Sequence, residues 1–282
     1  MKSHPESASK RKRAAELIEI AEATRDQLLI PTVPLYHDSE SRAPQVIGSG
    51  VLVSLAGLRF LLTAGHVLDL RRQGQLDVGV SPELLPLTGE PMRLRSPGSS
   101  GTSGDRIDMG IVRLQGGPWD SLPLDRFLAF DRLDTEIPIV ARHSYALIGF
   151  PNSMNRSAIA DSRLTAMAIS IAGLECPAKS YEETKTDPEL NVMIGIEKNA
   201  VWTVDGQRSA PDLYGASGCG LWRYGRRVRD SVGPPKLSAI ATEWHKKGRH
   251  RHVLGTRITF ILGAIADKYV EVRGAVDLDI LP

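Results

Sequence analysis

At 282 residues and 41% hydrophobic content, the chain is long enough for one large or two modest packed domains. Its 35 lysines and arginines against 33 aspartates and glutamates leave a formal charge of +2, so charge alone points away from a nucleic-acid partner. No stretch is long and apolar enough to span a membrane, and the 26 glycines and 18 prolines suit a hairpin-rich protein.

The first nine residues read as a tail without regular structure. Lys10-Arg11-Lys12-Arg13 then precedes an apolar run broken by Glu16, Glu19 and Glu22, which is not the core of a signal peptide. Residues 10–28 are expected to form an amphipathic helix with Leu17, Ile20, Ala21 and Thr24 on one face. That face either packs on its own domain or docks a partner. Strands are expected from residue 28 onward, and 46–53 and 58–63 read as a hairpin turned by Ala56-Gly57. Residues 75–80 and 92–94 are short strand candidates, 96–104 a flexible Gly/Ser loop, and 107–114 an apolar strand. Residues 115–137, with Gly116-Gly117-Pro118 and Pro123, read as a linker. Further strands are expected at 137–141, 145–151, 164–171, 192–196, 221–223 and 237–244, and a closing helix at 260–269. There is no internal sequence repeat.

Three blocks carry chemistry. Thr63-Ala64-Gly65-His66-Val67 holds a histidine, Asp108 opens the apolar stretch Met109-Gly110-Ile111-Val112-Arg113-Leu114, and Tyr214-Gly215-Ala216-Ser217-Gly218-Cys219-Gly220 holds a serine. A serine hydroxyl is a weak nucleophile at neutral pH and needs a neighbouring base, which in turn needs a group to orient it. The order histidine, aspartate, serine separates the candidate folds. An α/β-hydrolase runs serine, acid, histidine, and a subtilisin-like enzyme starts with the aspartate. Asp69 and Asp105 are rival acids, the first three residues from His66 and the second inside the loop.

Each block resembles its counterpart in the trypsin/chymotrypsin-like serine proteases. There the histidine follows Thr/Ser-Ala-Ala/Gly, the aspartate opens an apolar strand and the serine lies in Gly-x-Ser-Gly-Gly. Ile47-Gly48-Ser49-Gly50-Val51 adds a fourth match, resembling a strand opening common in bacterial members. The resemblance covers roughly residues 28–272. It implies an all-β fold of two six-stranded antiparallel Greek-key barrels, with an N-terminal and a C-terminal helix. In domain terms, 1–27 is an extension, 28–118 the first barrel with His66 and Asp108, 119–136 the linker, and 137–282 the second barrel with Ser217. It also implies that Ser217 attacks, His66 acts as base, Asp108 orients the base, and the N–H groups of Gly215 and Ser217 form an oxyanion hole. The protein substrate would be bound by Asp212, Tyr214, Thr242, Glu243 and Trp244. Asp212 favours a basic side chain before the scissile bond, the basic run 245–252 an acidic one, and Val253 a shallow pocket.

This chain departs from the family at two positions. Ala216 stands where zymogen-type members carry an aspartate that pairs with a freshly cleaved N-terminus, so trimming is not the expected route of activation. Cys219 replaces the second glycine and reads as a small buried residue. With Cys176 it makes only two cysteines, which points to a reducing, cytoplasmic setting without a disulfide.

No cofactor is implied. His245, His250 and His252 lack cysteine partners for a metal site and read more plainly as a solvated basic hairpin. The same loop with Arg223, Arg226, Arg227 and Arg229 lacks the interleaved aromatics of a nucleic-acid surface beyond Tyr224 and Trp244. Two function classes stand: a serine endopeptidase, switched on by a protein partner at the N-terminal helix or loop 245–252, and a silent protease-fold module that recruits a protein.

Overall fold

The computed structural model describes residues 19–38, 44–96, 106–136, 143–155, 166–196, 201–203, 206–208, 213–224, 233–245 and 251–275. The expected strand at 137–141, the loop 97–105 and most of the basic run, 246–250, lie outside them, as do residues 1–18 of the extension.

Helix α1 (19–29) leads into β1 (Thr32–Asp38), β2 (Gln45–Leu55) and β3 (Leu58–Ala64). The β2–β3 turn is a two-residue loop with Ala56 at φ 49° and Gly57 at φ 78°, the paired positive values that let a tight hairpin follow the strand twist. Helix α2 (Gly65–Asp69) follows at once, then β4 (Gln75–Val80), β5 (Glu83–Pro86), β6 (Glu90–Leu94) and β7 (Met109–Arg113). These seven strands form one antiparallel sheet in the order β5-β4-β1-β2-β3-β7-β6.

Six strands were expected here. The fifth in chain order is split into β5 and β6, because Leu87 and Gly89 interrupt it. Gly89 sits at φ 123°, and a Cβ there would lie 2.0 Å from the Arg113 carbonyl. One half therefore pairs with β4 and the other with β7, so the chain itself carries the sheet from one edge to the other. No ladder joins the two edges among the described residues.

The segment between the two halves carries short helical turns. Helix α3 (Pro118–Ser121) buries Trp119 completely. Leu128 exchanges backbone bonds with β2, donating to the Leu52 carbonyl at 2.8 Å and accepting from Ser54 at 2.9 Å.

The second half holds β8 (Ser144–Gly149), α4 (Asn152–Asn155), β9 (Ile169–Glu175), α5 (Ala178–Thr184), β10 (Asn191–Gly195) and a small ribbon, β11 (Val201–Thr203) with β12 (Gly206–Arg208). It continues with β13 (Gly220–Tyr224), β14 (Lys236–His245), β15 (His252–Arg257), α6 (Ile258–Lys268) and α7 (Val270–Arg273). Six of these strands close into a barrel, β10-β15-β14-β13-β8-β9. Its cyclic order is that of the first sheet with the split strand counted once, so the two halves share a Greek-key path despite unrelated sequences.

Period-two alternation sends each central strand to two cores. Leu61 and Leu52 face the interior of the first sheet, whereas Phe60, Leu62, Val51 and Val53 face a shared core between the halves. On β8, Tyr145 and Leu147 fill the second barrel, and Ala146 and Ile148 join the shared core with Trp222. Both faces are apolar, which is why these strands read as continuous hydrophobic runs. Ile258, Ile261 and Ile265 of α6 also enter the shared core, as do Ala21 and Leu28 of α1. Thr24 meets the Tyr224 hydroxyl at 2.7 Å. The described part of α1 thus packs on its own protein. Among the described residues, no helix is long and apolar enough to cross a membrane.

Candidate active site

The β3–β7 ladder explains how the histidine and the aspartate meet. Ala64 pairs with Met109, so the next residue on each antiparallel strand, Gly65 and Asp108, must face each other. Gly65 N–H donates to the Asp108 carbonyl at 2.7 Å. Asp108 adopts φ 30°, in the left-handed region that aspartate tolerates better than most residues. This conformation turns its side chain back under α2.

Asp108 is buried, its side chain 2% exposed. Its Oδ2 lies 2.5 Å from His66 Nδ1, and its Oδ1 accepts from the His66 backbone N–H at 3.1 Å. The imidazole is 38% exposed, so it is held on one edge and open on the other. A carboxylate only accepts, so Nδ1 carries the hydrogen and Nε2 presents its lone pair. Arg93 from β6 completes the shell, with Nη2 donating to Asp108 Oδ1 at 3.0 Å. Of the rival acids, Asp69 pairs with Arg93 and Arg95 instead of His66, and Asp105 lies outside the described residues.

Ser217 arrives from the other barrel. Its turn is shaped by two glycines, Gly215 at φ 79° and Gly218 at φ 86°. The N–H groups of Ala216, Gly218 and Cys219 donate to Leu213, Ala241 and Ala216 carbonyls. Those of Gly215 and Ser217 donate to no described residue. The turn is fastened to the first barrel by Ser49 N–H, which donates to the Ser217 carbonyl at 2.9 Å. Gly48 sits between the two halves of the site: a Cβ there would be 3.0 Å from both the Ser217 carbonyl and Val67 Cγ2, next to His66. The structure therefore joins His66 to Asp108 directly and seats Ser217 across the same seam. Among the described residues, no hydrogen bond links the Ser217 hydroxyl to the imidazole.

The expected substrate-binding residues separate. Asp212 lies outside the described residues. Tyr214 is 62% exposed beside the serine turn. Thr242 is buried, its hydroxyl directed to the Leu254 carbonyl at 3.4 Å. Trp244 lies half-buried opposite Val253, against the second-barrel core. Glu243 Oε2 meets His245 Nε2 at 2.7 Å, and the His245 ring stacks on His252 at 4.5 Å. Of the basic run, the described ends at His245, Arg251 and His252 belong to β14 and β15 or adjoin them. No group of three metal-binding side chains occurs among the described residues.

Arg93 escaped the sequence reading, whereas Ser49 and Gly65 stood inside matched blocks without a role of their own. Ser49 Oγ accepts from Phe150 N–H at 2.7 Å and from the Cys219 thiol at 3.4 Å, tying the barrels together beneath the serine.

The cysteines lie in separate apolar clusters and are unpaired. Burial pushes the Cys219 thiol up to about 12 and the Cys176 thiol up to about 11. The thiolate is the reactive form, so both should be inert in the folded protein. Ellman's reagent at pH 8 is expected to find no fast-reacting thiol before denaturation and two after it. A fast native thiol would show that one of these sites opens.

No family model matches the sequence, and no curated protein matches it. Solved structures do. Neuropsin, a serine protease expressed in the limbic system of mouse brain, aligns over 86% of this chain and 95% of its own, with a TM-score of 0.53 and 16% identity. Kallikrein-related peptidase 10, in a complex with Zn2+, aligns over 86% of this chain and 96% of its own, with a TM-score of 0.55 and 14% identity. The fold is that of the chymotrypsin-like serine proteases. At these identities the likeness concerns the fold. Within that chymotrypsin-like frame, the chemistry rests on this chain's own geometry at the barrel seam.

Proposed function

We propose that the protein is a serine endopeptidase that acts on a protein substrate through Ser217, His66 and Asp108. The observation that carries this reading is the buried Asp108 carboxylate, 2.5 Å from His66 Nδ1, at the seam where the Ser217 turn is fastened. With Nδ1–H committed to Asp108, His66 Nε2 is the free base. It takes the Ser217 proton as Oγ bonds to the substrate carbonyl carbon. The resulting oxyanion is met by the N–H groups of Gly215 and Ser217, each worth about 3 kcal/mol at such a position. The imidazolium then returns its proton to the leaving amine as the C–N bond breaks. Water, deprotonated by the same imidazole, releases the acyl group and restores the serine. The chain itself supplies every group in this cycle.

Ala216 is buried and uncharged beside the nucleophile, so a new N-terminal amine finds no carboxylate there. Activation by trimming is therefore not part of this reading. A protein partner at the outer face of α1 or at the 245–252 edge is its natural switch, and the cytoplasm its setting.

The test is labelling of the full-length protein with a fluorophosphonate probe. Wild type should be labelled, and Ser217→Ala and His66→Ala should not. Equal labelling of Ser217→Ala would remove Ser217 as the nucleophile. A folded wild type that resists the probe would overturn the constitutively competent enzyme and leave a partner-gated enzyme or the protease-fold binding module, which labelling in the presence of candidate partners separates.

A further inference from the structure

The geometry points to a fourth functional layer behind the histidine and aspartate. Arg93, balanced by Asp69, is a positioning residue for Asp108, and Gly65 is glycine so that Arg93 can occupy its place. The inference rests on the reading of His66 and Asp108 as catalytic.

Arg93 is held by four acceptor atoms on three residues. Its Nε and Nη2 meet the two carboxylate oxygens of Asp69 at 3.3 and 3.0 Å, Nη1 donates to the Met109 carbonyl at 3.0 Å, and Nη2 also reaches Asp108 Oδ1 at 3.0 Å. A guanidinium fixed at so many points is a rigid plane, which a flexible lysine does not reproduce. It bears on the oxygen that His66 does not use through its ring. Asp108 Oδ1 is clamped by Arg93 and the His66 backbone N–H, so Oδ2 is kept aimed at Nδ1. A carboxylate free to rotate would spend part of its time misdirected.

A cation against this aspartate would, by itself, cancel the charge that stabilises the imidazolium. Asp69 removes that conflict. With Arg93 it forms a neutral pair, so Asp69, Arg93 and Asp108 sum to one negative charge, which Arg95, 38% exposed and screened by solvent, offsets only weakly. Arg95 touches Asp69 from the more exposed side.

Gly65 links this layer to the histidine block. A Cβ at residue 65 would fall 1.0 Å from Arg93 Nη1 and 1.9 Å from Cζ. Any side chain there evicts the guanidinium. Two residues 28 positions apart are thereby coupled: a methyl at 65 and an arginine at 93 exclude each other.

The experiment is a double-mutant cycle on the full-length protein with Gly65→Ala, Arg93→Met and the pair, and with Arg93→Lys as the conservative variant. Three readouts are followed: the second-order rate of fluorophosphonate labelling, the thermal midpoint, and the downfield proton resonance of His66 Nδ1–H. Each single change is expected to slow labelling roughly tenfold, and the double change no more than either alone, because contacting residues lose their shared interaction once. The Nδ1–H resonance should shift or broaden in all three, with only partial recovery in Arg93→Lys. Multiplying losses in the double variant would overturn the coupling. A folded Arg93→Met protein with wild-type labelling and an unmoved resonance would overturn the positioning role. If wild type is not labelled at all, the constitutively competent protease fails, and the resonance still decides the clamp.

Discussion

Asp108→Asn is expected to lower the rate of Ser217 acylation by about 10⁴-fold while the protein stays folded. The reason lies in which oxygen each donor uses. Oδ1 accepts from two N–H groups, those of the His66 backbone and Arg93, whereas among the described residues Oδ2 faces only the imidazole Nδ1. An asparagine must keep its oxygen where two donors converge, which puts its NH2 opposite Nδ1. The ring then accepts at Nδ1 and carries its hydrogen on Nε2, the wrong tautomer for taking a proton from serine. Arg93 keeps Asp69 and the Met109 carbonyl, so no buried cation is stranded by the exchange. Labelling kinetics and a thermal melt on the same preparation check both halves. Acylation at the wild-type rate would show that Asp108 does not set the tautomer.

How much of this was legible in the sequence depends on how far each feature reaches along the chain. The histidine, aspartate and serine blocks are local, since each pairs a reactive side chain with residues that shape its own turn. The strands that face two cores were legible as apolar runs, and Ala56-Gly57 announced the hairpin between β2 and β3. Strand β15 was hidden, because Val253 and Leu254 follow a run of basic residues and become a strand only by pairing with β14. The broken strand at Leu87–Gly89 and the buried Trp119 were hidden for a related reason: their conformation is settled by neighbours from distant segments, overriding local preference. Arg93 is the clearest case. On β6 it looks like any strand-edge cation, and nothing within several residues tells that its guanidinium fills the space left by Gly65. The candidate site was therefore readable as three local blocks, but the shell around them was not.

Gly218→Ala tests whether the seam between the barrels, rather than either barrel alone, builds the site. Gly218 adopts φ 86°, where an alanine is strained by about 1–3 kcal/mol. Its missing Cβ would also lie 1.8 Å from the Ser49 carbonyl oxygen and 2.6 Å from Thr63 Oγ1. Neither atom can yield cheaply. Ser49 belongs to β2, and Thr63, three residues before His66, holds that same carbonyl by a 2.7 Å bond from its hydroxyl. The added methyl must push the serine turn away from the first barrel, loosening the 2.9 Å bond from Ser49 N–H to the Ser217 carbonyl. A shift of about 1 Å at a reacting group costs roughly 10²-fold in rate, so labelling should fall by that much beyond any loss of stability. Gly57→Ala is the control, since that glycine also has positive φ, at 78°, but open space around its missing Cβ. It should carry the torsional strain and leave labelling intact. If both variants melt alike and label alike, the close approach of the two barrels at Gly218 does not govern the nucleophile. If only Gly218→Ala stops labelling, the serine is placed by contact with the barrel that carries its base.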